Sequence, residues 1–385
     1  MVKENTMKQT EIGLLPEDWE VVKLSEVLKF GSGRDYKHLK KGDIPVYGTG
    51  GLMTLVNDFL YDGNSVGIGR KGTIDKPVFL TGKFWTVDTL FFTHSFQKTT
   101  AKYIYYQFGR IPWKEYNEAS GVPSLNKNTL EQIQIPLPPL PEQEAIAEAL
   151  SDADAWIESL EQLIAKKRLI KQGAMQELLT PKEDWEVKKL GEITIDGGLI
   201  RGPFGGALKK EFFVKNGYKV YEQKNAIYKS VHLGKYFVDT AKFKELGRFE
   251  IKANDFILSC SGTIGKLFRI PQIFQKGIIN QALLIIRLNP TIIDFGYFGH
   301  IFQYDKIQSK IIDDTQGGAM KNLVGMSEFR NTEIPLPSLT EQTRIATILS
   351  DMDAELEALE RQLTKARQVK GGMMQELLTG RVRLV

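Results

Sequence analysis

Residues 142–180 read EQEAIAEALSDADAWIESLEQLIAKKRLIKQGAMQELLT, and residues 341–379 read EQTRIATILSDMDAELEALERQLTKARQVKGGMMQELLT. The two stretches align without a gap at a constant offset of 199 residues, and 22 of 39 positions are identical. A repeat of this length governs the reading of the whole chain. In the first copy Ile146, Leu150, Ala153, Ile157, Leu160 and Ile164 step by 4, 3, 4, 3, 4, and in the second Ile345, Leu349, Met352, Leu356, Leu359 and Leu363 do the same. A mean spacing of 3.5 residues keeps one stripe of a helix turned toward a partner helix, which is the seam of a coiled coil. Each copy therefore predicts one helix, roughly 58 Å long at 1.5 Å per residue. Such a rod cannot bury its stripe alone, and the nearest partner is the other copy. Two amphipathic helices packed separately on their own domains are the alternative.

Punctuation frames the rods. They are entered from IPLPPLPEQ (135–143) and IPLPSLTEQ (334–342). Pro141 suits a first helical turn and Thr340 an N-cap. Thr180–Pro181 and Thr379–Gly380 are stop signals, while Gly173 and Gly371–Gly372 weaken the last turns or mark a bend.

Outside the rods a second repeat appears. Glu17-Asp18-Trp19-Glu20-Val21 recurs as Glu183-Asp184-Trp185-Glu186-Val187, and Lys23-Leu24 as Lys189-Leu190, at an offset of 166. The chain thus divides into an N-terminal arm (1–16), a first globular module (17–140), a first rod (141–181), a second module (182–338), and a second rod with its tail (339–385). Between their shared ends the modules have little in common, so the scaffold is duplicated and the payload has diverged. Both modules read as α+β. Candidate strands are Ile44–Tyr47, Ser65–Ile68, Pro77–Leu80 and Trp85–Phe92, with a helix near Thr100–Phe108. In the second module they are Tyr218–Glu222, Phe256–Ser259, Gly265–Ile270 and Gln281–Leu288, with a helix near Phe295–Tyr304.

Three basic, glycine-rich loops stand out in each module. The first module has Gly31–His38 with Arg34, Tyr36 and Lys37, followed by Lys40 and Lys41; then Arg70, Lys71 and Thr73; then Ser124, Asn126 and Lys127. The second has Arg201, Gly202, Phe204 and Gly205 followed by Lys209 and Lys210; then Gln223 and Asn225, with Ser261, Thr263 and Lys266; then Gln316, Lys321 and Asn322. Glycine lets the main chain approach a phosphate. Arg and Lys supply phosphate charge or contacts to guanine, and Asn and Gln suit adenine. Taken singly, each loop also reads as a solvated surface turn.

The net charge of +4 divides unevenly. Residues 17–140 carry +2, 141–181 carry −4, 182–338 carry +6 and 339–385 carry zero. Basic modules favour an anionic partner, and acidic or neutral rods favour a protein partner.

Catalytic motifs tempt and fail. Gly67-Ile68-Gly69-Arg70-Lys71-Gly72 matches G-x-G-x-x-G, but Pro77 forbids the helix that a dinucleotide site requires next. No phosphate-binding G-x-x-x-x-G-K-[ST] and no Asn-Pro-Pro-aromatic element occurs. His38, His94, His232 and His300 show no metal spacing, and Cys260 is the one cysteine. No run of about 18 apolar residues or signal-peptide core appears, so no membrane partner and a cytoplasmic setting are the expectation.

The tandem of module and rod, with its Ile-Pro-Leu-Pro…Glu-Gln and Met-Gln-Glu-Leu-Leu-Thr (175–180) joints, resembles the specificity subunits of type I restriction–modification systems. The loop from Arg201 to Gly206 also resembles a recognition loop of that family, whereas its counterpart from Gly31 departs from it. The resemblance implies two α+β target recognition domains, joined by long helices that pair as an antiparallel coiled coil with a pseudo-twofold internal repeat. Each domain would read one half of an asymmetric, interrupted site on double-stranded DNA. The rods would set the gap and dock two methyltransferase subunits, and restriction/translocase subunits would complete the complex. The chain itself would be non-catalytic, with no cofactor, metal or small-molecule substrate. S-adenosylmethionine, ATP and Mg would belong to its partners. A stand-alone coiled-coil DNA-binding or scaffold protein and a self-contained modification enzyme are the rival readings.

Overall fold

In the computed structural model, residues 6–313 and 322–384 are described, with the backbone alone described at Gly205, Asp313 and Asn322. The chain forms two compact units, Met1–Leu163 with Leu359–Val385, and Ile164–Ala358. Two helices, Leu140–Leu178 and Leu339–Leu377, each contribute a half to both units.

In the first unit Glu20–Lys23 pairs antiparallel with Gln134–Leu137, so the repeated Trp-Glu-Val motif is hydrogen-bonded to the Ile-Pro-Leu-Pro joint. Between these strands lie two four-stranded sheets. One has the order Gly51–Val56, Lys41–Gly48, Lys83–Thr86, Tyr61–Asp62. The other has the order Lys29–Ser32, Leu90–His94, Ser65–Gly69, Val78–Leu80. The helix Ala101–Phe108 follows, capped by the Thr100 side chain accepting from the Tyr103 amide.

The second unit repeats this plan. Glu186–Lys189 pairs with Glu333–Leu336. Thr194–Arg201, Leu283–Leu288, Phe256–Ser259 and Leu267–Arg269 make a four-stranded sheet, and Phe237–Val238, Tyr218–Tyr221 and Gly277–Ile279 a three-stranded one. The helix Phe295–Ile301 is capped by Asp294.

The run Trp85–Phe92 is not one strand. Lys83–Thr86 belongs to one sheet and Leu90–His94 to the other, with a turn at Val87–Thr89 that carries no glycine or proline to announce it. Gly277–Ile279 and Leu283–Leu288 are divided in the same way.

The joints explain the conserved letters of the repeat. Gln143 is buried; its amide donates to the carbonyls of Lys98 and Pro138, and its carbonyl accepts from Thr99 Oγ1 at 2.7 Å. Gln342, also buried, donates to Ile292 and Pro337 carbonyls and accepts from the Asp294 amide at 2.8 Å. Tyr103 and Tyr297 each donate a 2.8 Å hydrogen bond, to the Pro136 and Pro335 carbonyls. Each rod is therefore stapled at its first turn to the segment that leads into the helix of its own module, and that helix is tied by its tyrosine to the strand before the rod. The second rod begins two residues earlier than an N-cap at Thr340 implies. Its cap is Ser338, whose Oγ accepts from the Glu341 amide at 3.3 Å. Gly173, Gly371 and Gly372 lie inside continuous helix.

Within each unit the two helix halves run antiparallel. In the first, Asp154 pairs with Lys370 and Glu161 with Arg367 at 2.6 Å; partner numbers fall as helix numbers rise. In the second, Lys167 pairs with Glu355 at 2.6 Å and Lys171 with Asp353. Exposed ion pairs are worth little individually, so these fix register more than stability. Of the twelve seam positions Ile146, Leu150, Leu160, Ile164, Ile345 and Leu349 are buried. The other six, Ala153, Ile157, Met352, Leu356, Leu359 and Leu363, are half-buried. The stripe also serves the modules: Ile146 and Leu150 join a core with Trp19, Tyr103 and Tyr106, and Ile345 and Leu349 join one with Tyr297 and Phe298. Mutual pairing and packing on the modules are thus both present.

Candidate nucleic-acid interface

In the first module the sequence-predicted loops meet at the turn Val87–Leu90. The Arg34 amide donates to Thr86 O at 2.8 Å and the Gly33 amide to Leu90 O at 3.2 Å. The Arg70 and Lys71 amides both donate to Thr89 O, at 2.8 and 3.2 Å. The third loop joins through the Leu125 amide, 2.8 Å from Arg70 O, and an isolated bridge between Lys71 and Ser124. Where a dinucleotide site would open a helix, the chain turns at Gly72 (φ +96°). These ties leave a groove of about 580 Å³ lined by Ser32, Arg70, Lys71, Asp88, Phe91, Glu118, Ser124, Asn126 and Lys127.

The second module builds the same hub from unlike residues. The Gly202 amide donates to Leu283 O at 2.9 Å, and the Cys260 amide to Ala282 O at 2.8 Å. The turn is anchored by the Asn280 amide on Tyr221 O, as Val87 is on Tyr47 O. Strand register makes the match residue by residue: Ser32 faces Phe91 as Arg201 faces Leu284, and Gly69 faces Leu90 as Ser259 faces Leu283. Two glycines are demanded by sterics. A Cβ on Gly33 would stand 1.9 Å from Val87 O, and one on Gly202 1.9 Å from Asn280 O. The hub thus places Arg70 and Lys71 in one module where Cys260 and Ser261 stand in the other.

Several sequence-predicted residues have other employment. Asn225 is fully buried; its Oδ1 accepts from the Glu222 amide, and its Nδ2 donates to Ser230 O and Leu233 O at 2.8 and 2.7 Å. With every polar atom spent inside the fold, it orders a loop and cannot face DNA. The Gln223 amide nitrogen donates to Ser261 O and, at 3.2 Å, to Thr263 O, so its donor side is spent within the fold. Asn126 Oδ1 caps the helix Lys127–Glu131. Tyr36 packs against a small core around Val46 and Trp85. Lys37, Lys40 and Lys41 are exposed but line no part of the groove, and neither do Arg34 and Thr73. In the second module Arg201 is half-buried, and Phe204, Ser261, Thr263, Lys266 and Lys210 are exposed. Gly205 opens the short helical turn Gly205–Leu208, and Lys209 lies 3.8 Å from Glu211. Asn322 is in the strand Asn322–Leu323. Gln316 and Lys321 lie outside the described residues.

The groove's acidic members, Asp88 and Glu118, carried no sequence signal. Cys260 is buried, its thiol pushed up to about 12 chiefly by desolvation, so it is a neutral filler of the hub. Among the described residues no group of three or more His, Cys, Asp or Glu side chains is placed to hold a metal ion. None of their helices is long and apolar enough to cross a membrane.

Comparison with known proteins fits this duplication. The family model for the type I restriction modification DNA specificity domain matches twice, over residues 16–167 and 182–366. The chain belongs to that family. Among its relatives, the type I restriction enzyme MjaVIII specificity subunit of Methanocaldococcus jannaschii is 27% identical, covering 99% of this chain and 97% of the relative. A putative MjaX specificity subunit from the same organism is 25% identical, covering 99% and 98%. The crystal structure of the type I restriction–modification S subunit from M. genitalium shares the fold, with a TM-score of 0.64 at 14% identity over 93% of this chain and 96% of that one. Each match in this specificity-family chain covers one module together with much of the rod that follows it, through residue 167 in the first and 366 in the second.

Proposed function

We propose that this chain is the DNA-specificity subunit of a type I restriction–modification complex, and that each module reads one half of an asymmetric, interrupted DNA site. The observation that carries this reading is the shared hub. One backbone cradle is built twice with different side chains, as two recognition modules with different letters require. Base contacts from the loops around each hub would specify, and the surrounding exposed lysines would contribute salt-dependent affinity through phosphates. The paired helices act as separator, and they dock two methyltransferase subunits; restriction/translocase subunits join the full complex. Methyl transfer and ATP-driven steps belong to those partners with their S-adenosylmethionine, ATP and Mg, and this chain works beside them in the cytoplasm without chemistry of its own. The test is the set of methylated motifs in cells with and without this gene. Loss of one interrupted motif supports the reading, and an unchanged set defeats it.

A further inference from the structure

We propose that Arg70 reads a guanine in the half-site of the first module, with Asp88 accepting from the paired cytosine, and that the second module has no such determinant at the matching place. This rests on the DNA-reading role proposed above and assigns one letter within it.

Arg70 is exposed on the groove wall, yet it is not a loose surface charge. Its backbone is pinned on both sides, by its amide on Thr89 O and by the Leu125 amide on its own carbonyl. Its guanidinium stands 5.8 Å from the centroid of the Phe91 ring, within cation–π range. One long hydrogen bond, 3.5 Å from Nη1 to Asp88 O, is its only other tie among the described residues. The remaining N–H groups of a pre-aimed fork are available.

The company Arg70 keeps decides between phosphate and base. The groove is of mixed sign, with Arg70, Lys71 and Lys127 beside the carboxylates of Asp88 and Glu118, whereas a phosphate run is uniformly negative and would meet those carboxylates unfavourably. A guanine–cytosine pair offers two acceptors, O6 and N7, beside one N4 donor, so it suits an arginine fork next to a carboxylate. Strand register puts Cys260 and Gln281 of the second module at the positions of Arg70 and Asp88. Neither carries charge, and Cys260 is buried.

The test is selection from a pool of random duplex DNA by the full chain assembled with its modification subunits, followed by sequencing of the bound fraction. Wild type enriches a split motif with a guanine–cytosine pair in one half. Arg70→Ala loses discrimination at that one pair by about tenfold or more, and Arg70→Gln moves the preference toward adenine. Asp88→Asn weakens the same letter, and Gln281→Ala leaves it at wild-type frequency. If Arg70→Ala weakens binding evenly with every letter intact, Arg70 is a phosphate contact and the proposal fails while the DNA-reading role stands. A letter that moves with Gln281 also defeats it. A wild-type chain that enriches no split motif overturns both.

Discussion

The guanidinium of Arg383 closes on Glu142, with Nε 2.5 Å from Oε1 and Nη2 2.7 Å from Oε2. Glu142 is wholly buried at the start of the first rod, and Trp19 Nε1 also donates to it at 3.0 Å. Arg383, beyond the end of the second rod, reaches Asp18 as well, at 2.8 and 2.9 Å. The C-terminal tail is thereby bound into the first unit. Gly380 (φ +69°) makes the turn that brings it there, packed so closely that a Cβ would stand 2.4 Å from Pro16.

Arg383→Ala leaves a buried carboxylate without its cation. Breaking such a pair costs about 3–5 kcal/mol, far more than losing an exposed ion pair. We expect accelerated hydrogen exchange in residues 15–24 and a lowered unfolding midpoint of the first unit. Arg383→Lys keeps the charge and loses the bidentate geometry, so it recovers part of the loss. Unchanged exchange in the alanine variant would remove the tail from the stability argument.

Gly33→Ala and Gly202→Ala test the common hub. Each added methyl meets a carbonyl oxygen of the inter-sheet turn at 1.9 Å, and backbone cannot swing aside as a side chain can. Overpacking of this kind costs about 1–3 kcal/mol, occasionally more. Both variants should expose their own module to limited proteolysis and spare the other. If either is as resistant as wild type, the turn is not the rigid anchor described.

How much of this was legible beforehand follows from what kind of interaction holds each part. The rods were readable because Ile146 to Ile164 and Ile345 to Leu363 write their period into the sequence. The candidate loops were readable as basic and glycine-rich. Their convergence was not, since backbone hydrogen bonds join Gly33 to Leu90 and Arg70 to Thr89 and are indifferent to side-chain identity. The break at Val87–Thr89 was hidden for the same reason. Asn225 looked like a base reader because its amide chemistry is the same whether it faces DNA or, as here, Ser230 and Leu233. Thr340 lost its capping role to Ser338 because the helix starts at Leu339.

His300 gives the second unit a titratable imidazole where the first unit has Tyr106. Its Nε2 is 3.1 Å from Ser350 Oγ and its Nδ1 4.0 Å from Asp353, in the place where Tyr106 meets Ser151 and Asp154. Burial holds its pKa below 6.5; Asp353 and Asp294 oppose this, while Lys171 and Lys229 add to it. Between the folded value and 6.5 the unfolded chain binds more protons than the folded one. The contribution is therefore fully present above 6.5 and is lost as pH falls through that window. His300→Tyr, copying the first unit, should flatten this part of the slope of stability against pH. Urea unfolding at about pH 7.5 and about pH 5.5 measures it, and equal slopes in variant and wild type would discount the histidine.

Lengthening both rods tests the separator. One heptad added after Leu160 and another after Leu359, aligned sites of the repeat, keeps the seam in phase and the flanking pairs Asp154–Lys370 and Lys171–Asp353 in their registers. The added rise is roughly 10 Å, about the height of three base-pair steps. The groove residues are untouched, so the letters of the methylated motif should stay while its gap widens by up to about three base pairs. Lengthening one rod alone throws the ion pairs beyond the insertion out of register and should loosen the helix pairing, visible as a lost unfolding midpoint. Methylome sequencing of cells carrying the double insertion decides. An unchanged gap would mean that something other than helix length holds the half-sites apart.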